Sequence, residues 1–235
     1  MTRPVICTTL QMIKNKGPCT RGWVNLLQCL GKTKPDGRKL SLLKILEFNG
    51  IKDAIWALGC VNSKYDNALR LFACHCVQPS LKFWEKEYPG DKRPRKAIEA
   101  AKKFAHGKLI AKKMGAVREA ARNAIWEKGN IFESSCAQMA AWGAVWVATE
   151  NADEAAWEGM DCVARCAAHC WADEVVWKGV GREARTGLCG NEAMIKAWET
   201  AWETAYDAYI PEFKRLCQLE GVYGEVVQSL MSSSC

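Results

Sequence analysis

Apolar side chains recur along most of the chain at intervals of three and four positions, the spacing of one face of an α-helix. Ile51, Ile55 and Leu58 follow it, and a preceding helix over Leu40–Phe48 is predicted to end at Asn49-Gly50, a typical helix C-cap. Alternating runs of β-branched residues are absent. The pattern predicts an all-α fold, arranged as a multi-helix antiparallel bundle or a stacked helical-hairpin array with no sheet.

Turn-forming residues divide this pattern into further helices. A longer helix from Tyr65 to about Glu87 is expected to bend at Pro79, because proline removes a main-chain donor. Pro94 suits the first turn of another helix, and Gly107 is expected to separate that helix from the next. The other predicted helices span Trp23–Leu30, Pro94–His106, Leu109–Lys128 and Pro211 to about Leu230.

From Ile131 onward the chain is rich in Ala, Trp, Gly and Cys. Trp142 and Trp146 lie four positions apart, as do Trp198 and Trp202, so each pair falls on one helical face. The favoured interpretation is a core in which indoles fill gaps between Ala-rich helices, with some tryptophans left exposed. Stacking against a ligand and anchoring of a protein partner are the alternatives.

Charge divides the chain into two parts. Residues 1–128 hold 26 Lys and Arg against 10 Asp and Glu, whereas residues 129–235 hold 7 against 16. A chain of 235 residues is expected to form one domain. Residues 1–235 are therefore interpreted as a single helical domain with a basic half (about 1–128) and an acidic, Ala/Trp-rich half (about 129–235).

The densest basic stretch is Lys92–Lys128, in which twelve Lys and Arg face three Glu. Such a field can steer an acidic protein or a nucleic acid toward the chain. Two simpler interpretations are a solvated helix face and a face that meets the acidic half of a second copy in a homodimer.

Thirteen cysteines in a chain that lacks an apolar N-terminal signal core indicate a reduced, cytoplasmic protein that uses Cys as a small buried residue. No stretch of about 18 apolar residues indicates a membrane span. The nearest approach to a metal site is Cys162, Cys166, His169 and Cys170, where thiolate and imidazole ligands would suit zinc. One straight helix cannot surround a tetrahedral ion, so buried packing is the favoured interpretation there, and the sequence indicates no metal and no cofactor.

Catalytic patterns are not evident. A cysteine nucleophile needs a histidine base, and no local pattern around His75, His106 or His169 identifies a pair. The phosphate-binding GxxxxGK[ST] motif is absent. The sequence therefore predicts a protein that is not an enzyme.

The Arg93-Pro94-Arg95 corner admits two roles. In the structural role, Pro94 starts a helix and Arg93 binds the carbonyl end of the preceding one. In the functional role, Arg93 and Arg95 bind a carboxylate or phosphate of a partner. The structural role is favoured because it explains these residue types without a partner.

One continuous stretch, residues 69–101, reads LRLFACHCVQPSLKFWEKEYPGDKRPRKAIEAA. Its segments Arg70–Cys76 and Asp91–Glu99 resemble motifs of the putative immunity protein family of the immunity-five-like kind, found in bacterial toxin–immunity loci and in phage genomes. Asn49–Leu58 is similar to a further segment of that family, and Ala137–Trp202 to its Ala- and Trp-rich tail. The resemblance covers roughly residues 17–217.

The resemblance implies a non-enzymatic inhibitor that binds and occludes a target protein. Immunity proteins neutralise a cognate toxin in this way, and a phage member could block a host defence protein such as a nuclease complex. The alternative is a nucleic-acid-binding helical protein that uses Lys92–Lys128. The predicted partner-binding residues are Lys92, Arg93, Arg95, Lys96, Lys102, Lys103, Lys112 and Lys113.

Overall fold

The computed structural model describes residues 5–128, 136–171 and 192–232, and its side chains over 5–128, 136–165 and 199–229. Most of this part is helical, which confirms the all-α class. Two short strands and a series of α-helices follow in chain order: β1 (Cys7–Thr9), α1 (Leu10–Lys16), α2 (Thr20–Cys29), β2 (Lys39–Ser41), α3 (Leu42–Trp56), α4 (Asp66–Val77), α5 (Leu81–Glu87), α6 (Arg93–Ala105), α7 (Ala111–Glu127), α8 (Cys136–Val147), α9 (Ala152–Trp171), α10 (Glu192–Asp207), α11 (Ile210–Cys217) and α12 (Val222–Ser232).

The prediction of no sheet is wrong in one place. Strands β1 and β2 pair antiparallel, with Thr8 opposite Leu40. Ile6 extends the contact, because its N–H donates to the carbonyl of Cys217 at the end of α11. Strands of three residues are too short to show a period-2 pattern, so only the folded chain reveals that main-chain pairing joins the N-terminus to a late helix.

Glycine at position 50 divides α3 into two helical pieces. Gly50 has φ 81° and ψ 176°, a conformation that glycine adopts without a Cβ penalty. The predicted end at Asn49-Gly50 is thus an internal break, after which the chain resumes its helix at once. Asn49 holds the break to α2, since its Nδ2 donates to the carbonyl of Gly22 at 2.8 Å.

Helix α4 lies at the centre of the molecule. Every residue from Ala68 to Cys74 is buried, as expected for a helix with neighbours on all sides. These neighbours are α6, α8, α9, α11 and α12. Cys74 and Cys76 are both buried, as predicted, and burial raises the pKa of the Cys74 thiol to about 12.

Helices α8 and α9 approach closely through small residues. A Cβ at Gly143 would lie 3.0 Å from Cγ1 of Val77 and 3.4 Å from the carbonyl oxygen of Gly159. Their buried positions are mostly alanines, including Ala140, Ala144 and Ala156. Among the described side chains, Trp84 is the fully buried tryptophan. Trp142, Trp157 and Trp202 are half-buried and pack against the core, which agrees with the predicted packing role, whereas the side chain of Trp198 lies outside the described part.

The predicted single helix from Pro211 to Leu230 is wrong. The chain forms α11 and α12 instead, and they are separated at Leu219, which has φ 48°. The predicted bend at Pro79 is confirmed as a 3₁₀ turn, Gln78–Ser80, between α4 and α5.

Lys16 in the basic half forms an ion pair with Asp153 in the acidic half, with Nζ 2.7 Å from Oδ2. The assignment of residues 1–235 to a single domain stays a prediction. No helix in the described ranges has the length and apolar character needed to cross a bilayer.

Candidate protein-binding surface

Helices α5 and α6 meet at a corner built by local hydrogen bonds. The indole Nε1 of Trp84 donates to the carbonyl of Asp91 at 2.9 Å. The Asp91 carboxylate in turn accepts from the main-chain N–H of Arg93 at 3.1 Å. Pro94 lies in the first turn of α6, as predicted, where its missing N–H costs no helical hydrogen bond. The corner is therefore fixed by its own sequence.

Arg93 connects this corner to the end of α7. Its guanidinium binds Asp91 at 2.6 Å and Glu127 at 2.6 Å. These hydrogen bonds lower the pKa of both carboxyls. The expectation that Arg93 binds the carbonyl end of the preceding helix is wrong, because a two-carboxylate arrangement satisfies the planar fork with charge-assisted bonds instead.

Arg95 forms the second fork of the corner. Its Nε and Nη2 lie 2.5 and 2.7 Å from the two carboxylate oxygens of Glu85 in α5, and the bond lowers the pKa of Glu85. About two turns further along α6, Lys102 donates to the side chain of Gln78 at 2.5 Å. Arg93 and Arg95 are both half-exposed, so the guanidinium edges remain within reach of solvent.

A shallow depression of about 560 Å³ lies over the corner. Three of the predicted residues line it, namely Lys92, Arg93 and Lys96, together with Tyr88 and Lys128. The ammonium of Lys128 lies 5.4 Å from the ring centroid of Tyr88. We call this the corner depression; it combines exposed cations with one aromatic face.

An exposed tryptophan lies at the end of α7, next to this region in sequence. Trp126 is 49% exposed, and its ring packs edge-to-face against Trp142 with centroids 6.4 Å apart. A large aromatic held in place by another ring is a typical anchor of a protein interface. This placement supports the alternative that some indoles serve a partner.

A second opening lies between α4, α5 and α6, and no local sequence pattern indicated the residue cluster beside it. His75 Nδ1 lies 2.9 Å from the hydroxyl of Tyr223 and 3.2 Å from Oε1 of Glu212. The hydroxyl of Tyr223 also donates to Glu212. These partners are 137 and 148 positions from His75, so no local pattern could have revealed them.

Electrostatics around His75 favour its neutral form. Burial lowers the pKa of His75, and the charge of Lys102 acts in the same direction. Burial opposes ionisation of Glu212, yet the hydrogen bond from Tyr223 and the charge of Arg215 lower its pKa. The groove beside this cluster, which we call the His75 groove, has a volume of about 540 Å³. It is lined by His75, Lys82, Arg95 and Lys102, among others.

The structure therefore brings the predicted residues to two places. Lys92, Arg93 and Lys96 line the corner depression, and Arg95 and Lys102 line the His75 groove. Three others are exposed on α6 and α7 outside both openings: Lys103, Lys112 and Lys113. Their role in binding a partner stays a prediction.

The candidate metal cluster lies on α9, largely outside the described side chains. Cys162 is half-buried, and burial raises its pKa to about 12, which holds the thiol protonated. The side chains of Cys166, His169 and Cys170 fall beyond the described part. Among the side chains that are described, no group of three His, Cys, Asp or Glu is placed to hold a metal ion.

Arg70 has a structural role that its position in a motif did not reveal. It is 2% exposed, and its guanidinium donates to the carbonyls of Val147, Thr149 and Glu150. These carbonyls end α8 and begin the connection to α9. A cation at a helix C-terminus satisfies acceptors that have no partner inside the helix.

Residues 60–148 match the model of a family described as Imm-5 like putative immunity protein. This matched segment contains both Arg70–Cys76 and Asp91–Glu99, which confirms the resemblance drawn from those motifs. Asn49–Leu58 and most of Ala137–Trp202 lie outside it. No curated protein and no solved structure matches the chain.

Proposed function

We propose that this chain is an immunity protein that binds a target protein and occludes it without chemistry. The match of residues 60–148 to the immunity family supports a protein partner. The exposed basic and aromatic side chains at the corner lie in the same segment. A toxin and a host defence protein that a phage must block, such as a nuclease complex, are both targets of this kind.

The corner depression is the proposed contact surface. Lys92, Lys96 and Lys128 are exposed there beside Tyr88, and cations of this kind steer an acidic partner toward the surface. Trp126 supplies an aromatic anchor at the end of α7. The surface is positive, so the proposed target presents an acidic patch.

The arginine forks hold the corner in shape before a partner arrives. Arg93 and Arg95 connect α6 to α7 and α5 through carboxylates, so binding need not order these elements. Preorganisation of this kind lowers the entropy that association loses. We place the protein in the cytoplasm, where cysteines such as Cys19 and Cys29, which are free and exposed, stay reduced.

The test is capture of the partner from host lysate by the tagged chain, with nuclease present and at two salt concentrations. Two variants are compared with the wild type. Lys92→Glu with Lys96→Glu reverses charge in the corner depression. Lys39→Glu with Lys44→Glu makes the same change in charge at exposed lysines of β2 and α3.

We expect one protein to be captured in the presence of nuclease. The wild type and the Lys39/Lys44 variant should retain it, and the Lys92/Lys96 variant should lose it. If both variants retained the partner protein equally well, the corner depression would not be its contact surface. Recovery of nucleic acid alone, lost with nuclease or at high salt, would favour the nucleic-acid alternative. The homodimer through opposite charges stays a prediction.

A further inference from the structure

A cavity of about 210 Å³ lies between α1, α2, α3 and α9, outside the matched segment. Three tryptophans line it, namely Trp23, Trp56 and Trp157. Each of these tryptophans is half-buried, while Cys19 at the rim is exposed. A cavity of about 150 Å³ lined by apolar side chains is large enough for benzene, so this one has room for a small organic molecule.

One carboxylate faces the cavity among these rings. Asp53 lines it, and Asn49 Nδ2 donates to Asp53 Oδ2 at 2.7 Å. Asn49 is itself held to α2, since Asn25 Nδ2 donates to its Oδ1 at 3.2 Å. Within residues 5–128, 136–165 and 199–229, no basic side chain forms an ion pair with Asp53. The carboxylate is therefore oriented by an amide and is without a cationic partner.

Indole faces attract cations because the ring quadrupole is negative above and below its plane. The protein already uses this property in the same region, where the Lys14 ammonium lies 5.5 Å from the ring centroid of Trp23. Aromatic walls with one carboxylate suit a cation whose charge is surrounded by methyl groups, since such an ion is weakly hydrated and also buries apolar surface.

We propose that this cavity binds a small quaternary ammonium compound, with the indoles of Trp23, Trp56 and Trp157 around the methyl groups and Asp53 as the counter-ion. The site is independent of the proposed protein-binding surface. Its lining residues come from before and after the matched segment in the sequence. A ligand bound there would be a function separate from the binding of a protein.

The test is titration of the full chain with choline and with 3,3-dimethyl-1-butanol, its neutral isostere, followed by calorimetry and tryptophan fluorescence. We expect saturable choline binding and affinity for the neutral isostere that is lower by about tenfold or more. Asp53→Asn keeps the shape of the side chain and should weaken choline binding by about fivefold to tenfold. Glu47→Gln, at an exposed carboxylate of α3 outside the cavity, should leave choline binding unchanged.

Equal affinity for choline and its isostere would overturn the assignment of a cation site. Absence of saturable binding by a chain that unfolds cooperatively would overturn the site itself. An Asp53→Asn variant that unfolds at the wild-type temperature and binds choline as well as the wild type does would remove Asp53 from the site and contradict the proposal.

Discussion

Two kinds of arginine lie in the matched segment, and they differ in what their partners are. Arg70 is buried in α4 and donates to three carbonyls at the end of α8. Arg93 and Arg95 are half-exposed on α6 and bind carboxylates of neighbouring helices. A buried guanidinium on main-chain acceptors holds helices in position, whereas a half-exposed fork fixes a corner and leaves its surface open to a partner. The same residue type thus serves the fold in one place and the proposed interface in the other.

The largest effect is expected at Arg70. Replacing it by Met leaves the carbonyls at the end of α8 without donors in a buried setting, so we expect the free energy of unfolding to fall by about 3 kcal/mol. Urea denaturation measures this. Arg21→Met, at an exposed position of α2, should change stability by less than about 0.5 kcal/mol. A loss at Arg70 as small as that of the control would contradict a structural role.

Helix α8 is also held by its close packing against α9, and a substitution there should disturb its position. A side chain at Gly143 must push against Val77 and the main chain of Gly159, so Gly143→Val should destabilise the protein by about 2 kcal/mol. Gly115→Val on α7 is the matched control, because nothing lies within 4 Å of a Cβ there. Equal loss of stability in both variants would show that helix propensity, rather than close packing of α8 on α9, sets the cost.

A smaller effect on stability is expected at the half-exposed arginines. Arg95→Met removes its bidentate pair with Glu85, and exposed pairs contribute less than about 1 kcal/mol. Thermal unfolding should therefore shift by only a few degrees, while capture of the protein partner weakens. If Arg95→Met destabilised the protein as much as Arg70→Met, the distinction between the two kinds of arginine would be wrong.

The smallest effect concerns pH at His75, a half-exposed side chain of α4. Burial lowers its pKa in the folded protein, so the unfolded chain takes up a proton first as pH falls. Stability is therefore complete above the ordinary histidine pKa of about 6.5 and decreases below it. Urea midpoints at pH 7.5 and 5.5 should differ more for the wild type than for His75→Gln. If the wild type became more stable as the pH was lowered from 7.5 to 5.5, the pKa of His75 would be raised in the folded protein, which would contradict the prediction.

Local chemistry allowed several features to be predicted from the sequence. The break at Gly50, the bend at Pro79 and the place of Pro94 in the first turn of α6 all follow from the backbone preferences of single residues. The carbonyl partners of Arg70 and the Glu212–Tyr223 pair at His75 could not be predicted, because they lie 77 to 148 positions away in the chain. The sheet between Thr8 and Leu40 was missed because its strands are too short to show a pattern.

For the candidate site, the sequence indicated which residues are basic but not which of them line the same opening. Folding places Lys96 in the corner depression and Lys102 in the His75 groove, although both lie on α6. It also pairs Arg93 with Glu127, 34 positions away, a partner that no local motif could identify. The sequence therefore indicated the basic stretch that contributes to the corner depression. Only the tertiary contacts show which of its cations are exposed there.

The corner depression is proposed to bind a protein, whereas Arg70 maintains the fold. The most direct test is calorimetric titration of the captured partner into the Lys92→Glu/Lys96→Glu variant and the Lys39→Glu/Lys44→Glu control, with unfolding measured on the same samples. We expect the affinity for the partner to be lower by about tenfold or more in the first variant alone, with stabilities of the two variants that agree within about 0.5 kcal/mol. Equal affinities for the two variants would contradict it.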